Sequence, residues 1–217
     1  CSDSYAIVGS KGEEAGQDPG SGKAYVFDTS TGQVVYTLND PNAYGTTWGD
    51  GFGTKVAISD TYAIVSAPGE QDANSGGSES GKAYVYDVAN NFQLLYTLDN
   101  PNPFGTSASD RFGYHLAISD THAIVAADSE DENGNLDSGK AYVYDLSDGS
   151  LLYTLDNPNA SSVSQGDYFG YDVGISSTYA VVSSIYDGNG GVAHVFDLSD
   201  GSLVATIDNP NAYGTSA

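Results

Sequence analysis

Ser21-Gly-Lys-Ala-Tyr-Val-Phe-Asp28 returns as Ser80-Gly-Lys-Ala-Tyr-Val-Tyr-Asp87 and as Ser138-Gly-Lys-Ala-Tyr-Val-Tyr-Asp145. A worn fourth copy is Gly190-Gly-Val-Ala-His-Val-Phe-Asp197. Lys23, Lys82 and Lys140 lie 59 and 58 residues apart, and Ala141 and Ala193 lie 52 apart. A fixed period of this size marks supersecondary units that stack or radiate from an axis.

The second copy shows what one unit contains. Asp50–Ser59 alternates, with Phe52, Val56 and Ile58 on one face and Gly53 and Ala57 on the other, which predicts a strand A. Ser59-Asp60 turns the chain into strand B, Thr61–Ser66. A loop rich in Gly, Ser and acid, Pro68–Ser80, leads to strand C at Lys82–Tyr86, and strand D follows at Phe92–Leu98. The third unit places the same four at Phe112–Ser119, Thr121–Ala126, Lys140–Tyr144 and Ser150–Leu155. The fourth places them at Phe169–Ile175, Tyr179–Ser183, Val192–Phe196 and Ser202–Ile207. Asp148-Gly149 and Asp200-Gly201 are short-range hairpin signals between C and D.

Four antiparallel strands per unit, radially repeated, predict an all-β fold: a β-propeller of four-stranded blades in one repeat domain. The units fall at about 1–49, 50–109, 110–166 and 167–217. Cys1 aligns with Ile58, so the first blade lacks its first strand, and both ends fall inside the repeat. That reads as a window on a longer array. A lipidated first residue is the rival reading of Cys1.

Composition narrows the partners. The net charge is −23, from 6 basic and 29 acidic residues, which argues against nucleic acid and anionic membrane because phosphate binding needs clustered Lys and Arg. No apolar run is long enough to span a bilayer, and a single cysteine forms no internal disulfide. No Gly-x-Ser-x-Gly elbow, phosphate-binding glycine loop or zinc signature is present, and the chain reads as a non-enzyme.

Phe52-Gly53 followed by Ser66-Ala67-Pro68 resembles the FG-GAP repeat. Phe112-Gly113 and Phe169-Gly170 match its first half, whereas Ala126-Ala127-Asp128 and Ser183-Ser184-Ile185 lack the proline. The resemblance covers essentially the whole chain. It implies blades like those in the head of integrin α subunits and in bacterial and phage surface proteins. The context it implies is extracellular, on a cell or virion surface, with a role in structural assembly or in recognition of a glycan or protein. The family's calcium loop, where present, lies between strands A and B. Here that connection is Ser59-Asp60, Ser119-Asp120 or Ser176-Ser177, too short to wrap a cation that wants six to eight oxygens.

The candidate sites are acidic. Asp128, Glu130, Asp131 and Glu132 crowd one loop between strands B and C, and Glu70, Asp72 and Glu79 occupy the preceding one. They read as a solvated acidic loop, or as a rim for calcium or magnesium, since hard cations take clustered carboxylates. Asn102 and Asn159 belong to Asp-Asn-Pro-Asn segments, which read as Asx turns fixing the crossover to the next blade or as contacts to a ligand on one rim. Asp50, Asp110 and Asp167, two residues before each Phe-Gly, are expected to bond backbone amides. His122 and His194 stand where other units have Tyr, and His115 is expected to face solvent. Three partner classes follow: a protein or glycan surface, a calcium-dependent adhesion partner, or further copies of the chain joined by strand exchange.

Overall fold

A computed structural model describes residues 1–13, 20–42, 49–70, 80–102, 110–131, 137–159, 166–187 and 190–210. These residues hold fifteen strands in four antiparallel sheets, each built from consecutive strands. The first sheet has three: β1 (Tyr5–Ser10), β2 (Lys23–Asp28) and β3 (Val34–Asn39). The second is β4 (Val56–Ile58), β5 (Tyr62–Ala67), β6 (Lys82–Asp87) and β7 (Gln93–Asp99). The third is β8 (His115–Ile118), β9 (His122–Ala127), β10 (Lys140–Asp145) and β11 (Leu151–Asp156). The fourth is β12 (Phe169–Ile175), β13 (Tyr179–Ser184), β14 (Val192–Asp197) and β15 (Leu203–Asp208). Each sheet is a blade, and the arrangement is β-propeller-like, with the first blade one strand short. Among the described residues no helix is long and apolar enough to cross a membrane.

The repeated Lys-Ala-Tyr-Val-Tyr stretch becomes the third strand of a full blade, and its alternation feeds two cores at once. Ala83, Val85 and Leu98 of the second blade pack with Phe112, Leu116, Val125 and Tyr142 of the third. Ala63, Val65, Tyr84 and Tyr86 turn the other way, onto Ala24, Val26 and Leu38 of the first. Ile124, Val143 and Leu155 of the third meet Phe169, Val182 and Phe196 of the fourth. Every core therefore lies in a seam between neighbouring blades, and a strand buried on both faces ties one seam to the next. All four blades carry a register shift on the last strand but one, between Val26/Phe27, Val85/Tyr86, Val143/Tyr144 and Val195/Phe196. Such a bulge sharpens local twist and re-aims the outer strand.

One expectation is corrected. Phe52 and Phe112 do not lie in a first strand, which is confined to Val56–Ile58 and His115–Ile118. In these two blades the Phe-Gly pair is a corner instead, because Gly53 and Gly113 take φ of +87° and +92°, left-handed values that break a pleat; in the fourth, Phe169 and Gly170 open β12, and Gly170, at +97°, lies where its pairing with β13 slips. The corner plugs into the preceding blade. Phe52 forms a parallel bridge to Gly22, and the amides of Phe52 and Phe169 donate to the carbonyls of Ser21 and Ser138 at 3.0 and 3.1 Å. This contact also explains the glycine of each Ser-Gly-Lys. A Cβ on Gly22, Gly81 or Gly139 would stand 2.0, 2.2 or 2.1 Å from the carbonyl oxygen of the next blade's Phe.

Candidate functional site

Two of the acids that the sequence marks as candidates, Glu70 and Glu130, sit in the seams between blades. Glu70, Glu130 and Asp187 each stand three residues past the end of their blade's second strand, and Glu13 stands three past β1, the matching strand of the shorter first blade. The chain leaves the strand at that point and folds back: the Glu130 amide donates to Ala127 O at 3.1 Å, and its carbonyl accepts from the Gly139 amide at 2.9 Å. The side chain is thereby directed inward, beneath the third strand.

There it meets two donors. Tyr142 Oη donates to Glu130 Oε2 at 2.6 Å, and Asn102 Nδ2 donates to Glu130 Oε1 at 2.7 Å. Asn102 comes from the blade before, so the carboxyl joins two blades. Glu70 repeats the arrangement with Tyr84 and Asn42. In the first blade Tyr25 and Lys23 bond Glu13 at 2.6 and 2.8 Å. In the fourth both members change together. His194 replaces the tyrosine and the shorter Asp187 replaces the glutamate, with Nε2 3.7 Å from Asp187 Oδ2 and Nδ1 3.0 Å from Thr206 Oγ1.

Glu130 is 0 % exposed and Glu70 1 %, so the reading of a solvated acidic loop is wrong for both. It is equally wrong for Asp128 and Asp131, which are buried too. Asp128 faces the Arg111 guanidinium at 3.7 Å, and Asp131 accepts from the Asp137 amide at 2.9 Å. Burial pushes the Glu130 carboxyl up to about 7, against the pull of its bonds from Tyr142 and Asn102. It raises Glu70 and Asp128 as well, and lifts the Tyr84 and Tyr142 hydroxyls far above the ordinary phenol range.

The Asp-Asn-Pro-Asn segments act as the expected Asx turns. The amides of Asn42, Asn102 and Asn159 donate to the side chains of Asp40, Asn100 and Asn157 at 2.8, 2.9 and 2.9 Å. Asp110 differs from expectation: its carboxylate accepts from the side chain of Asn100 and its other oxygen meets no donor, while Asp167 likewise accepts from the side chain of Asn157, each bond 3.2 Å long. His115 also departs from its solvent-facing assignment, since its half-buried ring stacks on Tyr171 at 5.3 Å. Asp72, Glu79 and Glu132 lie outside the described residues.

Chemically, the arrangement can hold blades together. Asp128, Glu130 and Asp131 point to separate partners, and among the described residues no group of three His, Cys, Asp or Glu side chains is placed to hold a metal ion. Sequence reasoning missed the tyrosines as donors. A signal for them exists: an acid in the same phase of four units, with Glu/Tyr exchanged together for Asp/His.

The FG-GAP repeat model matches residues 43–86, 104–144 and 159–196, together more than half of the chain. Each match runs from before a Phe-Gly corner to within the third strand of that blade. Comparison with curated proteins gives no match.

Proposed function

Because the chain belongs to the FG-GAP repeat family, whose repeats build β-propeller modules used for recognition or adhesion, we propose that it is a non-enzymatic recognition and assembly module of an extracellular, cell-surface or virion-surface protein. Its partner is a glycan or protein surface met by the loops of one rim. The observation that carries this reading is the engagement of Glu70 and Glu130 inside the seams. Carboxyls bonded on both oxygens by a tyrosine and an asparagine are poor candidates for catalysis or cation binding, which leaves surface recognition as the role that suits the fold. Tyr186, the most exposed large hydrophobic side chain among the described residues, offers a ring face of the kind sugars stack on. A glycan array probed with the intact protein is expected to return binding at sub-millimolar sugar. No binding at millimolar sugar would remove the glycan half of the reading.

A further inference from the structure

The first seam differs from the other two at the pair of side chains beside the Asx turn. In the second and third, an amide donates to a carboxylate: Asn100 to Asp110 and Asn157 to Asp167, each at 3.2 Å. At the corresponding place in the first seam stand two acids, Asp40 and Asp50. Both are buried, at 7 % and 5 % exposure. Asp40 Oδ1 already accepts from the Asn42 amide at 2.8 Å, and Asp40 Oδ2 is enclosed with no hydrogen-bond donor facing it. Two carboxylates sharing a dry site cannot both ionise without strong repulsion. A proton on one of them restores, between the two carboxyls, the donor that asparagine supplies at the other seams, and Asp40 Oδ2 is the atom left facing none.

We propose that Asp40 and Asp50 form a proton-operated latch between the first and second blades, closed when the two carboxyls share a proton and loosened when it leaves. The surroundings reinforce the preference for the proton. Glu70 faces the pair from the turn after β5, and the Tyr84 and Tyr86 hydroxyls face it from β6. Lys82 acts on Glu70 but is ion-paired with Asp99 on the neighbouring strand. Burial, with the Glu70 and Asp50 charges adding to it, pushes the Asp40 carboxyl up to about 7. The latch is therefore closed in mild acid and opens as pH rises through neutrality.

The test compares thermal melting of the wild type, Asp40→Asn and Asn100→Asp from pH 5 to pH 8.5. Asp40→Asn installs the amide found at the other seams. Its melting temperature is expected to match the wild type at pH 5 and to exceed it by several degrees at pH 8.5. Asn100→Asp copies the acid pair into the second seam and is expected to add a further loss above neutral pH while melting near the wild type at pH 5. Parallel curves for wild type and Asp40→Asn would overturn the latch. So would a wild-type loss at pH 8.5 that 5 mM calcium chloride abolishes but magnesium-free EDTA buffer restores, because the pair would then be a cation site.

Discussion

Phe112→Ala is expected to destabilise the protein by about 3–5 kcal/mol, the usual loss for emptying a packed aromatic site. Phe112 is 0 % exposed and stands between two blades, touching Ile64, Val85 and Leu98 on one side and Leu116 and Tyr142 on the other. Its ring lies 5.9 Å from that of Tyr142 at an interplanar angle of 54°. The neighbours are β-sheet side chains held by ladders on both sides, so the site cannot collapse to fill the space. The loss should also reach beyond one blade, because in repeat folds stability is a sum of unit and interface terms. A weaker interface lets the blades on either side unfold separately, which would lower the slope of the urea transition as well as its midpoint. Leu152→Ala is the control. Leu152 lies exposed on β11, and its loss should stay within about 0.5 kcal/mol. Equal effects for the two variants would mean that the seams are not the core.

The second large effect is on pH. Asp40 and Glu130 are pushed up to about 7 and Asp110 to about 6, in each case first by burial. A carboxyl whose folded pKa lies above its unfolded value of about 4 keeps a proton that the unfolded chain releases. Its contribution is fully present below about pH 4 and is lost as pH rises through the folded pKa. Each such proton gives a slope of about 1.4 kcal/mol per pH unit inside that window. Melting temperature is therefore expected to fall by roughly 15–25 °C between pH 5 and pH 7.5, at about 2–4 °C per kcal/mol for a chain of this size. Below pH 4 the trend reverses. Asp28, Asp145 and Asp200 are held below the usual carboxylate range by Ser and Thr donors in their own turns, and Asp120 by Ser59 and Thr61 of the neighbouring blade, and they lose those bonds on protonation. The net charge of −23 pushes in the same direction as the buried acids, but through repulsion that salt screens. The fall with pH should persist in 1 M sodium chloride if the seams cause it. Maximum stability at pH 8 would contradict the buried-acid account.

Much of the fold is legible in the sequence because it is written in local terms. Tyr-Ala-Ile-Val at Tyr62–Val65 and Lys-Ala-Tyr-Val at Lys82–Val85 alternate over short spans, and Asp-Gly turns join neighbours in sequence, so strand order follows. Phe52 was less legible. A Phe followed by alternating apolar residues has the pattern of a strand, and only the left-handed conformation of Gly53 turns it into a corner. The burial of Glu70 and Glu130 has no local signature at all. A carboxyl beside Gly, Ser and further acids looks solvated, and what draws it inward comes from afar. Asn42 and Asn102 lie 28 residues upstream, and Tyr84 and Tyr142 lie 14 and 12 residues downstream. Only the repetition of the acid at one phase of the unit points to a structural task.

Glu130→Gln, melted at pH 8 with 5 mM calcium chloride and again with EDTA, tests that task most directly. Glutamine can still accept from Tyr142 or Asn102, and it removes a charge that the buried site disfavours at that pH. The variant is expected to melt at or above the wild-type temperature, and neither protein should respond to calcium. A wild type stabilised by calcium beside a variant that is not would contradict the account, because the carboxylate would then be a cation ligand rather than the acceptor that joins Asn102 to Tyr142 across the seam.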